Sequence, residues 1–293
     1  MPSLKEVRTR IESVKSTQQI TSAMKMVSAS KLRKAQNAII QLRPYANKLN
    51  EILQDIGANT ESEIAEVYSE KRSGGKVLLV PVSSNRGLCG SFNSSIIKAT
   101  SKLIAEDYKE LYSEGKLDVY CIGKKVGEHF EKHFADITIA SEITIFDDLN
   151  SVASAKITEK LMKFFKDKTY DQIIVLYNSF KNAAVQVLKQ ETFLPIQSKA
   201  NKDSDIKTDY IFEPNKDDII TAILPKALRT DFFAMLLDSF AAEQGARMTS
   251  MHKATDNASE LLRDLKLTYN KARQAAITNE ILEIVGGAEA LKG

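Results

Sequence analysis

The two ends of this 293-residue chain each carry an apolar seam at coiled-coil spacing, and that constrains the fold more than anything else in the sequence. Stepping by threes and fours from the start gives Leu4, Val7, Ile11, Val14, Gln18, Thr21, Lys25, Ser28, Leu32, Ala35, Ile39, Leu42, Ala46, Leu49, Leu53 and Ile56. From Phe233 the same stepping gives Leu237, Phe240, Gln244, Arg247, Met251, Ala254, Ala258, Leu261, Leu265, Thr268, Ala272, Ala275, Asn279 and Leu282. A long helix with such a seam needs a partner, and each end offers the other one, so the pattern predicts an antiparallel coiled coil built from distant termini. The first seam turns polar at Gln18, Thr21, Lys25 and Ser28, where Ile20, Met24 and Val27 take up an apolar stripe one position earlier. That offset implies a changed supercoil or a second packing partner for the helix.

Ser3 and Glu6 form a capping box at the start of the first helix, which should run to about Ile56 and kink near Arg43 because Pro44 removes a backbone hydrogen bond. Gly286 and Gly287 are expected to stop the last helix. Between the ends, strand and helix signals alternate. Strands are predicted at 76–83, 117–122, near Ile137, and at 172–177 and 185–194, the last two as a hairpin. Helices are predicted at about 93–111, 125–134 and 149–165. The resulting domains are an N-terminal coiled-coil helix at 1–58, a central α/β foot at 59–216 and a C-terminal coiled-coil helix at 217–293. The central fold is Rossmann-like.

Charge is distributed unevenly. The first 50 residues hold ten Lys or Arg against Glu6 and Glu12, whereas the whole chain has a net charge of only +3. A basic helix attracts acidic protein segments or nucleic acid, or it is a solvated face. Its one aromatic residue, Tyr45, and the lack of a recognised binding motif argue against nucleic acid. No run reaches the ~20 apolar residues that span a bilayer, and the start lacks the apolar core of a secretory signal, so a cytosol-like compartment is expected. Cys89 and Cys121 are too few and too far apart for a zinc motif or a disulfide framework and are read as reduced.

No catalytic centre can be assembled. The loop from Ser83 to Asn93, SSNRGLCGSFN, is a candidate phosphate cradle, but it matches neither GxGxxG nor a P-loop, and a structural turn or protein contact is the competing reading. His129 and His133 in HFEKH have a spacing able to hold a metal ion, without HExxH and without an evident third ligand. No cofactor or metal is predicted.

The run from Ala254 to Ala290 resembles the γ subunits of F-type ATP synthases. Their C-terminal signature falls here on Ile277, Thr278, Glu280, Glu283, Gly287 and Ala288. RTRIESVKSTQQITSAMKMVSASKLRKAQ, RPYA at 43–46, NRGLCGSFN and ARMTSMHKATDN resemble γ sequence in the expected order, so the likeness covers essentially the whole chain. The resemblance implies a non-catalytic central rotor shaft of a bacterial, proton-translocating enzyme. One copy would stand inside a hexamer of α and β subunits, beside ε and above the c-ring, on the cytoplasmic side of the cell membrane. Its rotation would couple c-ring movement to sequential conformational change and ATP synthesis or hydrolysis at the β sites. It assigns Arg273 and Gln274 to loops of α and β, Lys25 to the β lever, and Tyr210 and Glu213 to the c-ring. Ile277, Ile281, Leu282, Ile284 and Val285, apolar all round the helix, are expected to form an apical bearing. The redox insert of chloroplast γ subunits is absent, so no thiol switch is expected.

Overall fold

The computed structural model describes residues 3–57, 67–70, 72, 75–196 and 216–290. In chain order the elements are α1 (Leu4–Gly57), β1 (Val77–Pro81), α2 (Phe92–Ala105), α3 (Lys109–Ser113), β2 (Leu117–Ile122), α4 (Lys124–His133), β3 (Thr138–Glu142), α5 (Ser151–Lys166), β4 (Gln172–Phe180), β5 (Gln186–Leu194) and α6 (Lys216–Ala290). They divide into two compact units. One is Met1–Ser28 with Met248–Gly293, and the other is Ala29–Arg247, so the two long helices each contribute to both.

In the first unit α1 opens on the predicted capping box. The Ser3 N–H donates to Glu6 Oε2 at 3.0 Å, and the Glu6 N–H donates to Ser3 Oγ at 3.3 Å. The helices run antiparallel. Gln18 Nε2 donates to Ser259 Oγ at 2.7 Å, Thr255 Oγ1 donates to Thr21 Oγ1 at 2.9 Å, and Lys25 Nζ lies 3.2 Å from His252 Nδ1. One number rises as the other falls. Leu4, Val7, Ile11, Val14, Gln18, Thr21, Lys25 and Ser28 are all buried or half-buried, so the heptad keeps its register through the polar layer. Ile20 and Val27 instead face solvent, and the expected takeover of the seam by the offset stripe does not occur. Hydroxyls and an amide that find partners across the seam hold the register there. On α6 the buried positions are Met251, Ala258 and Leu262, with Leu265 and Tyr269 half-buried. Leu261 and Thr268 are exposed, which corrects the predicted seam by one residue: the four-residue steps fall earlier, bringing the larger Leu262 and Tyr269 inward.

The second unit holds a five-stranded sheet of order β3-β2-β1-β4-β5, parallel except for the β4–β5 hairpin. Both faces are covered, which explains why β1 reads as a continuous apolar run. Leu78, Val80, Tyr120, Ile122, Ile173 and Val175 pack with Ile157, Leu161 and Phe165 of α5 and with Leu228, Phe232 and Leu236 of α6. Leu79, Val119, Cys121, Ile174 and Leu176 form the other core with Ile96 and Ile104 of α2 and Val126 and Phe130 of α4.

Helix boundaries follow expectation except at two places, an internal break and a C-terminal end. The helix predicted at 93–111 breaks into α2 and α3 at a turn over 106–108. The first long helix continues through Pro44 to Gly57, close to its expected end, and the last starts at Lys216 with Pro225 inside it, close to its expected start. Gly286 and Gly287 do not end α6, because a helical glycine lowers propensity by only about 1 kcal/mol and nothing requires a left-handed residue there.

Gly123 precedes α4 with φ +96°, and a Cβ there would lie 2.2 Å from the Ser83 carbonyl oxygen. Gly123→Ala is therefore expected to destabilise the chain by at least about 2 kcal/mol, read as a lower urea midpoint at unchanged slope.

Candidate partner-contact surfaces

In a doubly wound sheet, ligands bind beyond the carboxyl ends of the strands where the strand order reverses, here between β1 and β4. That crevice is lined by the SSNRGLCGSFN loop, and α6 fills it. Cys89 and Phe92 pack against Ala242 and Ala246, with Phe180 at the end of β4 beside them. Gly245 permits this approach, since a Cβ there would stand 3.0 Å from the Phe180 ring. Arg247 Nη2 donates to the carbonyl oxygens of Arg86 at 3.0 Å and Gly87 at 3.2 Å, and its Nη1 is paired with Glu243. The loop thus turns carbonyls inward onto a guanidinium. A phosphate would need N–H groups, so the loop is a structural turn. Ser84 completes it: its N–H donates to Asn93 Oδ1 at 3.0 Å and its Oγ donates to the Arg86 carbonyl at 2.7 Å.

Glu243 and Arg247 are both buried. Burial pushes the Glu243 carboxyl up, opposed by the positive charges of Arg247, Lys31 and Arg86. From the sequence, Arg247 stands only as a seam position and Glu243 is unmarked. The available signal was an oppositely charged i,i+4 pair set among Ala241, Ala242, Gly245 and Ala246, where small side chains mark a close contact. The same loop raises Leu88 into solvent at φ 63°. Cys89 and Cys121 are both buried free thiols, and burial, assisted by the charge of Glu131, pushes Cys121 up to about 12.

The residues expected to meet partners sit in different surroundings. Lys25 belongs to the polar layer of the seam, within reach of His252. Carrying the register of that layer toward the start of α1 sets Leu4 level with about Arg273. Arg273 and Gln274 are exposed at the end of the paired segment. Beyond them, residues 276–290 add about 22 Å of helix at 1.5 Å per residue. Ile277, Ile281, Leu282, Ile284 and Val285 are all exposed on it, the least at 48%. Five large apolar side chains on one exposed stretch make an apolar patch of the kind at which proteins associate. Tyr210 and Glu213 lie outside the described residues. No helix among the described residues is long and apolar enough to cross a membrane. His129 and His133 stack on α4, and no group of three or more His, Cys, Asp or Glu gathers into a metal site among the described residues.

A sequence model of the ATP synthase family matches residues 3–291. An ATP synthase gamma chain from Christiangramia forsetii is 53% identical, with all of both chains covered. The chain belongs to the ATP synthase γ-chain family. A chain of the mitochondrial ATP synthase central stalk and c-ring of Tetrahymena thermophila is similar with a TM-score of 0.60 and 27% identity, covering 80% of this chain and 99% of that one. A second likeness, to a chain of the Euglena gracilis mitochondrial ATP synthase, has a TM-score of 0.68 at 20% identity, covers 98% of this chain and 94% of that one, and bears on the fold alone. The γ-chain fold of paired terminal helices and an α/β sheet unit is thus the one found here. As a γ chain it is a rotor-stalk component and not the catalytic subunit.

The buried pair gives the γ-chain loop a specific test. Arg247→Ala leaves a buried carboxylate unpaired and two carbonyls without a donor, and should cost about 3–5 kcal/mol. The double variant Glu243→Gln, Arg247→Met removes both charges and should recover much of that loss in urea denaturation.

Proposed function

We propose that this chain is the central rotor shaft of a bacterial F-type ATP synthase, turning inside an α/β hexamer at one copy per complex, with ε and the c-ring at its foot. The observation that carries the reading is the antiparallel terminal pair in which α6 outruns the start of α1 and ends in an exposed apolar stretch. Torque requires stiffness, and two helices locked by cross-seam bonds resist bending and sliding better than one. Their polar layer fixes the register, so one helix transmits force to the other without slipping.

The partner surfaces follow from chemistry. Ile277, Ile281, Leu282 and Val285 form the apical bearing, where an apolar tip in an apolar sleeve has few directional bonds to break on turning. Arg273 and Gln274 hold loops of α and β by exposed polar contacts, which are weak enough to be remade at each step. Lys25, on the basic first helix, meets acidic lever segments of β. Tyr210 and Glu213 reach the c-ring. Each β site then experiences a different face of γ in turn, and that difference in contact free energy is what couples rotation to nucleotide affinity. The functional division is a helix at 1–58, a foot at 59–216 and a helix at 217–293. The shaft works at the cytoplasmic face of the cell membrane, held there through the c-ring, and the ion that drives it is the proton.

Co-expression with the α and β subunits of its own organism tests this. The purified assembly should contain one copy of this chain per hexamer and hydrolyse ATP at multiple sites. Replacing the residues after Asp264 by a polar, non-matching helix should abolish multisite turnover. Failure to co-purify, or full activity without the chain, would contradict the proposal.

A further inference from the structure

His252 stands on α6 opposite Lys25 of α1, within the polar layer that fixes the helix register. Its Nδ1 has two neighbours with opposite needs. The Lys25 ammonium, 3.2 Å away across the seam, can only donate a hydrogen bond, whereas the Asp256 carboxylate, with Oδ2 3.5 Å away and one turn on along α6, can only accept one. A ring nitrogen offers a lone pair or a proton, never both at once. The neutral ring with its proton on Nε2 therefore bonds Lys25. The doubly protonated ring loses that bond, faces a like charge and turns to Asp256.

Few charged groups surround the ring. Lys25 is the one charged residue in 22–28 of α1, the stretch level with His252, and residues 248–256 of α6 add Lys253 and Asp256. The His252 side chain is 55% exposed, so protons reach it from solvent, while Lys25 is half-buried. We propose that His252 is a positioning residue for Lys25 and that the two form a pH-responsive catch: neutral His252 holds the ammonium against the seam, and protonated His252 releases it. Imidazole is the side chain whose charge changes between about pH 5 and 8, so the catch is closed at the upper end of that range and open at the lower. Gln18 with Ser259 and Thr21 with Thr255 carry no titrating group, so the helices stay paired while one side chain swings. What the released ammonium meets, an acidic lever segment of β, rests on the shaft reading above; the bond and its release do not.

Side-chain NMR relaxation of Lys25 in the full chain, followed from about pH 8 to about pH 5.5, tests the catch. The terminal methylene of Lys25 should be ordered at the upper end and mobile at the lower, changing together with the His252 ring signals. His252→Asn puts an amide oxygen in place of Nδ1, accepts without titrating and should keep Lys25 ordered throughout, whereas His252→Leu should leave it mobile throughout. Replacing both His129 and His133 by Gln, which leaves His252 as the one histidine, should keep the wild-type response. Lys25 equally mobile at both ends, or a pH response that survives in His252→Asn, would overturn the proposal. In the assembly with α and β, the ATPase rate of wild type relative to His252→Asn should change by about twofold or more across the range. Release of Lys25 in the chain without that change in the assembly would confirm the catch and overturn the lever assignment of Lys25.

Discussion

The pairing of the first 28 residues with the last 46 is the constraint from which the rest of the molecule follows. Segments separated by more than two hundred residues must meet in one register, and an apolar seam alone would tolerate a slip by a heptad. Polar contacts do not. Gln18 with Ser259 and Thr21 with Thr255 are satisfied only when those positions are level, so the layer that weakens the hydrophobic seam also makes it specific. Register in turn fixes how much of α6 lies beyond the start of α1. The exposed apolar stretch from Ile277 to Val285 therefore follows from the cross-seam bonds as well as from helix length.

A related economy is visible in the sheet unit. A parallel sheet with a strand-order reversal offers a ready ligand crevice, and here a helix occupies it with small residues and one buried ion pair. Arg247 takes up the carbonyls of Arg86 and Gly87, which fixes the loop that raises Leu88. The crevice that other proteins of this architecture use for chemistry serves here as a mechanical joint within the unit.

Much of this was legible in the residues. Apolar periodicity in the first helix and the alternation of the central strands are strong signals, because burial on one or both faces dictates them, and the structure follows them closely. The α6 seam was misplaced at Leu261 and Thr268 because leucines occupy both 261 and 262, and threes and fours fit either phase. The offset stripe of Ile20 and Val27 does not displace the seam, and hydrophobicity alone cannot reveal that Gln18 and Thr21 find partners on another helix. The Glu243–Arg247 pair shows in the sequence only as an i,i+4 charge pair among small residues, because its meaning lies in the Arg86 and Gly87 carbonyls, some 160 positions away along the chain. Family membership came from short motifs spread over the chain, and those motifs, rather than any local chemistry, pointed to the surfaces of the shaft.

The central claim is that the terminal helices act as one body. Thr21→Cys combined with Thr255→Cys tests it directly, since the native hydroxyls are 2.9 Å apart and Cys89 and Cys121 are buried. Mild oxidation should form the cystine readily, and the chain assembled with its α and β subunits should turn over ATP equally fast oxidised or reduced. Failure of the cystine to form, or a complex that stops on oxidation and restarts on reduction, would mean that the helices are not paired in this register or must move past each other, and would contradict the account.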